Sequence, residues 1–210
     1  LPQTRWERLK GRDFWITGAG TGYRRCIALA LAAAGARVFI SGRRIEKLRE
    51  VVDEGAALGI DVRRCIAVPV DIRSEDDLAR AVRNIQLVTP SLYGLVNSAA
   101  LPQSGETAFP LTGHSAAAWM NLLTTNVTGQ WLTCKAAMPL LGHGDGFRIL
   151  FLSSFAGWAS TPGFGPYNVS KSALNTLGAS LAAECVLRYP SKDVQINVLV
   201  PGEARTEMNQ

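Results

Sequence analysis

The stretch Phe14-Trp15-Ile16-Thr17-Gly18-Ala19-Gly20-Thr21-Gly22-Tyr23-Arg24 sets the frame for the whole chain. Its first four residues are bulky or β-branched and read as a buried strand, stopped by a glycine cluster. An Ala/Leu-rich helix follows from Cys26 to Ala34, closed by Gly35. A glycine-rich turn between strand and helix lets backbone N–H groups approach a phosphate at the positive helix end. An ordinary tight turn would account for one glycine but hardly for three within five residues. The segment therefore predicts a nucleotide site on Gly18, Gly20, Thr21, Gly22 and Tyr23.

The alternation repeats outward from there. Arg37 to Ser41 reads as a second strand, about Ile45 to Leu58 as a helix, and Cys65 to Val70 as a third strand. Ser74-Glu75-Asp76-Asp77 is a good helix start. Leu92 to Asn97, Arg148 to Ser153 and Val194 to Val200 supply strands four to six, separated by helices over about Ser115 to Leu141 and Tyr167 to Tyr189. Six strands read as continuous apolar runs and alternating with helices predict a doubly wound, Rossmann-like parallel sheet, an α/β fold of three α/β/α layers. Residues 1–210 are expected to form a single domain. Ligands in such a sheet bind beyond the carboxyl ends of the strands.

Composition narrows the function classes. Hydrophobic residues make up 47% of the 210 and charged residues 19%, a globular balance. No apolar run reaches the roughly 18 residues of a membrane span, and the first residues lack a signal-peptide core. Cys26, Cys65, Cys134 and Cys185 are dispersed without a CxxC pair, so reduced, buried cysteines in a cytoplasmic protein are expected. His114 and His143 are the two histidines, and no metal site is expected. The net charge of +5 is spread over short pairs, Arg24-Arg25, Arg43-Arg44 and Arg63-Arg64. Nucleic-acid binders usually concentrate charge in one stripe; this dispersed excess suits a small phosphate-bearing ligand.

The second strand ends in Ser41-Gly42-Arg43-Arg44, with no acid before Glu46. A site for NAD usually places a carboxylate here to hold the ribose 2′-hydroxyl. Two guanidinium forks instead match the 2′-phosphate of NADP, with Arg43 the favoured contact. Asp71, after the third strand, is either an acceptor for an adenine amino group or a helix-capping carboxylate. Tyr167-Asn168-Val169-Ser170-Lys171 puts a phenol and an ammonium on one helix face. That spacing alone is weak, but Ser154 closes the fifth strand thirteen residues earlier, at the same sheet edge. Asn126 falls inside the long helix, where asparagine is unfavourable unless its side chain has work to do.

Together these features resemble the short-chain dehydrogenase/reductase family, in the branch marked by TGxxxGxG and YxxxK, over essentially the whole chain. The resemblance implies an NADP(H)-dependent oxidoreductase acting on a small carbonyl or alcohol substrate and forming a homo-oligomer. It implies a tetrad of Asn126, Ser154, Tyr167 and Lys171. Tyr167 would serve as acid/base, its phenol lowered by Lys171 and by the oxidised cofactor, and Asn126 would anchor a proton-relaying water. Asp71 and Ile72 match the adenine side, and Asn97 with Ala99 match the NNAG segment. Pro201, Gly202 and Thr206 match the PGxxxT segment beside the nicotinamide. Phe155, Trp158, Phe164, Leu101 and Pro102 are either pocket wall or core.

Three departures stand out. Arg24 replaces the third glycine of the family turn, so either the helix shifts, or the side chain points outward, or the guanidinium itself touches a cofactor phosphate. NNAG has become Asn97-Ser98-Ala99-Ala100, which keeps small residues. Members of the family continue past the PGxxxT segment with a substrate-covering helical segment, a seventh strand and a further helix, so the domain is expected to be C-terminally incomplete at Gln210. The other class of function compatible with these departures is a catalytically silent NADP-binding module.

Overall fold

The computed structural model describes residues 6–102, 110–160 and 162–202. Six strands, β1 (Asp13–Thr17), β2 (Arg37–Ser41), β3 (Cys65–Ala67), β4 (Gly94–Asn97), β5 (Gly146–Leu152) and β6 (Asp193–Leu199), form one sheet in the order β3-β2-β1-β4-β5-β6. Every pairing is parallel. The helices are α1 (Gly22–Ala33), α2 (Ile45–Ala57), α3 (Glu75–Gln86), α4 (Ala116–Leu123), α5 (Gly129–Leu141) and α6 (Gly165–Arg188). This is the Rossmann-like arrangement the alternation predicts. Its strand order reverses between β1 and β4, where such sheets open a binding crevice.

Alternating side chains of the central strands feed two cores. Phe14, Ile16, Val38 and Ile40 pack with Ala28, Leu29 and Ala32 of α1 and Leu48 and Val51 of α2. Trp15, Phe39 and Leu95 face the other way, against Leu78 and Ile85 of α3, Leu132 and Leu140 of α5 and Leu174 of α6. Trp15 is fully buried, and its indole N–H donates to the Ser41 hydroxyl at 2.8 Å. Burial of that polar edge is thereby compensated. Ser74 caps α3 by accepting from the Asp77 N–H at 3.1 Å.

Three details differ from the sequence expectation. The segment from Ser115 to Leu141 is not one regular helix: a π turn at Thr124–Thr128 separates α4 from α5. Asn126 lies at the middle of that turn, its side-chain amide bonded to the partners described below. Strand β6 reads Asp-Val-Gln-Ile-Asn-Val-Leu and alternates exposed with half-buried residues. Val194, Ile196 and Val198 pack on the α6 side, so among the described residues this end of the sheet is covered on one face only. Cys26 lies exposed on α1, whereas Cys65, Cys134 and Cys185 are buried and all four thiols are free. Among the described residues no helix is long and apolar enough to cross a membrane.

Candidate functional site

The crevice between β1 and β4 is held open by polar side chains. The Thr17 hydroxyl accepts from the backbone N–H groups of Ser98 and Ala99 at 3.0 and 3.2 Å and donates to Asn97 Oδ1. Asn97 in turn donates from Nδ2 to the Gln130 carbonyl at 2.6 Å, and Gln130 Nε2 donates to the Ala99 carbonyl. Thr17, Asn97 and Gln130 have no exposed surface. Above this seam runs the glycine turn. Gly18 and Gly22 have φ of 71° and 60°, a region L side chains rarely enter. A Cβ at Gly18 would also lie 2.7 Å from Ala99 Cα. Thr21 makes no side-chain cap on α1, and no acid occupies the first turn. The helix therefore presents N–H groups without a competing carboxylate, the arrangement that receives anions. Tyr23 is half-exposed on the same turn.

A groove of about 450 Å³ extends from that turn across the ends of β2 and β3. Gly18, Gly20, Thr21, Arg43, Arg44, Asp71, Ile72 and Ala99 all line it, whereas Gly22, Tyr23 and Asn97 do not. Three further cations, Arg24, Lys47 and Arg73, join Arg43 and Arg44 in the wall. Asp71, the one acid lining it among the described residues, is gripped by Arg73 in a bidentate pair with contacts of 2.6–3.1 Å. That hydrogen bonding holds the Asp71 carboxyl below its ordinary range. Asp71 therefore stiffens its own turn and helps fix Arg73, while Ser74 does the capping. Among the described residues, Arg43 and Arg44 form no ion pair. Free guanidinium forks, an open helix N-terminus and a glycine that a Cβ would fill form a donor set that suits a phosphorylated dinucleotide.

The acid/base candidates meet at the carboxyl end of β5. Ser154 follows that strand and accepts from the Ala156 N–H at 3.2 Å, opening a short 3₁₀ turn. Tyr167 and Lys171 lie one turn apart on α6, with the ammonium 5.5 Å from the phenol ring centroid. Lys171 is 3% exposed and donates to the Leu152 carbonyl at 2.9 Å. Burial, aided by repulsion from Arg24, pushes its pKa down to about 7. The phenol departs from expectation. Burial pushes Tyr167 above its ordinary value, opposed first by hydrogen bonding with Ser154 and then by the charge of Arg24. Lys171 is not the cation that counters it: its ammonium is tied to Leu152 and half-neutral near pH 7.

Asn126 is fully buried within the π turn. Its Oδ1 accepts from the Leu101 N–H at 2.7 Å, and Nδ2 donates to the Leu101 carbonyl and the Ser170 hydroxyl, each at 3.1 Å. The amide thus ties the segment after β4 to α6. Pro201 accepts from the Phe155 N–H at 3.0 Å, which places Pro201 and Gly202 beside Ser154. Thr206 lies outside the described residues. Leu101 and Pro102 line the groove, Phe164 meets Tyr167 edge-on at 6.5 Å, and Phe155 and Trp158 are exposed rather than core.

Arg24 does not point outward. Its Nη1 donates to the Ser98 carbonyl at 3.3 Å and lies 3.1 Å from the place a Gly18 Cβ would take. The small residues Gly18 and Ala99 leave it that space. Sequence reasoning passed over Thr17, Gln130, Lys47 and Arg73. Arg73 was findable, since an aspartate at a strand end commonly accepts from the backbone N–H two residues on, as Asp71 does from Arg73.

Comparisons with known proteins bear on the family and the fold. A family model described as short chain dehydrogenase matches residues 14–210. The chain is 31% identical over 206 residues to 11-beta-hydroxysteroid dehydrogenase 1A of Arabidopsis thaliana, covering 97% of this chain and 55% of that protein. It thus spans about half the length of that relative. It is 30% identical to dehydrogenase/reductase SDR family member 4 of Rattus norvegicus, covering 98% of this chain and 70% of that one. Among solved structures, a short chain dehydrogenase of Escherichia coli CFT073 complexed with NADPH superposes with a TM-score of 0.85 at 28% identity, over 96% of this chain and 81% of that one. One from Burkholderia phymatum in complex with NAD gives the same TM-score at 26% identity, over 95% and 68%.

Proposed function

This chain belongs to the short-chain dehydrogenase family, and from that premise we propose that it is an NADP(H)-dependent oxidoreductase interconverting a carbonyl and an alcohol. The observation that carries the reading is the meeting of Ser154, Tyr167 and the buried Lys171 beside a glycine-lined, arginine-rich groove. Arg43 and Arg44 would hold the 2′-phosphate, since both line the groove free of carboxylates. Asp71 and Ile72 would flank the adenine, and Gly18, Gly20, Thr21, Gly22 and Tyr23 the phosphates. Asn97, Ala99, Pro201, Gly202 and Thr206 would border the nicotinamide half. When bound, the nicotinamide would give or take the hydride. Residues 1–210 act in this reading as part of one nucleotide-binding domain.

In the reduction direction, the Ser154 and Tyr167 hydroxyls hold the substrate carbonyl oxygen and stabilise the charge that develops there. Tyr167 then passes its proton to that oxygen. A buried phenol with a raised pKa keeps its proton in the resting site, as an acid catalyst requires. Arg24, whose charge already favours the ionised phenol, supplies nearby positive charge for the phenolate left behind. Asn126 fixes the loop carrying Leu101 and Pro102 against α6 and orients a water that restores the proton. Association into a homo-oligomer is part of the proposal.

Replacing Tyr167 by Phe tests the assignment. Turnover of a mixed carbonyl panel should vanish while calorimetric NADPH binding survives; retention of most activity would overturn it. The second reading, a silent NADP-binding module, is favoured by Arg24, which lies between the groove and Tyr167. Tight NADPH binding by the unaltered protein, with no turnover on that panel, would select it.

A further inference from the structure

Arg24 stands where the family turn has a glycine, and what sets it apart from the other cations of the groove is its place at the seam. Its guanidinium crosses from α1 to the seam, donating to the Ser98 carbonyl and lying against Gly18. One neutral carbonyl at 3.3 Å is a weak partner for a group with five N–H donors. Among the described residues Arg24 forms no ion pair, whereas Arg73 and Lys47 in the same wall hold Asp71 and Glu50. Arg24 belongs to the wall of the groove, while Ser154, Tyr167 and Lys171 lie outside it. Its charge is nonetheless felt by both Tyr167 and Lys171. A dinucleotide with its adenosine among Arg43, Arg44 and Asp71, and its other end at Tyr167, must therefore pass Arg24 with its linking diphosphate.

We infer that Arg24 is a clasp for that diphosphate, resting on the Ser98 carbonyl in the free protein and transferring to the phosphate oxygens on binding. This rests on the cofactor reading above and deepens it. The exchange replaces a long bond to a neutral acceptor by charge-assisted bonds to an anion, which are roughly twice as strong. Gly18 and Ala99, lacking bulk, leave the guanidinium room to turn.

The test measures binding by isothermal titration calorimetry to the full chain, to Arg24→Ala and to Arg24→Lys. Three probes divide the cofactor. NADPH is the whole, 2′-phospho-ADP-ribose keeps the diphosphate without nicotinamide, and adenosine 2′-monophosphate keeps only the adenosine end. Arg24→Ala should weaken NADPH and 2′-phospho-ADP-ribose alike by about 10- to 100-fold, the loss of a hydrogen-bonded charge. Adenosine 2′-monophosphate should change less than about threefold, and Arg24→Lys should recover part of the loss. Thermal unfolding matching the unaltered protein shows that the variants fold. Unchanged or tighter NADPH binding by Arg24→Ala would overturn the clasp and mark Arg24 as an obstruction. An equal loss for all three probes would also overturn it, by assigning Arg24 a general effect of charge or fold. If the unaltered protein binds none of the probes, the cofactor reading itself falls. If it binds them and only the variant's selectivity is missing, the clasp alone falls.

Discussion

Lys171 should make this protein less stable than it would be with an apolar residue in its place, and more so as the pH falls. The side chain is 3% exposed, and its pKa falls from an ordinary 10.5 to about 7. At about 1.36 kcal/mol per tenfold change, keeping the ammonium charged inside the fold costs about 5 kcal/mol below pH 7. Between about pH 7 and 10.5 the unfolded chain carries a proton there that the folded chain has shed. Stability therefore rises with pH across that window and is lowest below it. Lys171→Met removes the charge but leaves the Leu152 carbonyl without its donor, a loss of about 1–3 kcal/mol. The balance is a gain of about 2–4 kcal/mol near pH 6, or roughly 4–16 °C in Tm for a chain of this length. Near pH 9 the advantage should shrink by about 2–3 kcal/mol. Urea unfolding of both proteins at the two pH values reads this directly. If the Met variant unfolds at lower urea near pH 6, or if the gap is the same at both pH values, the charge is not buried as described.

Arg43→Ala should weaken NADPH by about 10- to 100-fold and NADH by little, as read by fluorescence titration; equal losses would remove the 2′-phosphate from its role. Asn126→Ala strips partners from both backbone groups of Leu101 and from Ser170, so unfolding should cost about 2–4 kcal/mol less. A urea midpoint unchanged from the original would show that the π turn does not depend on this amide.

The order and type of the elements were legible because each central strand is an apolar run bounded by glycine or polar residues, and each helix has its own period. Ser154, Tyr167 and Lys171 could be brought together before any coordinates, since a strand end and the following helix start must share one sheet edge. Strand β6 was legible but misread: Asp193, Gln195 and Asn197 alternate with apolar residues, the pattern of a strand covered on one face. The π turn was hidden, because the partners that hold the Asn126 amide within it, Leu101 and Ser170, lie 25 and 44 residues away. So was the direction of Arg24, set by the space Gly18 and Ala99 leave. The raised phenol of Tyr167 was out of reach for a similar reason, since burial is a property of the assembled fold.

The hydroxyl and amide seam of Thr17, Asn97 and Gln130 has a consequence for how fast this protein can work. Because the floor of the crevice is already cross-linked, an incoming ligand finds a slot of set width rather than one it must first organise. Little of its binding energy then goes into ordering the floor, and encounter rather than rearrangement should govern how quickly it is captured. Thr17→Val would keep the shape of that floor and remove its cross-links. Its signature would be slower capture of NADPH.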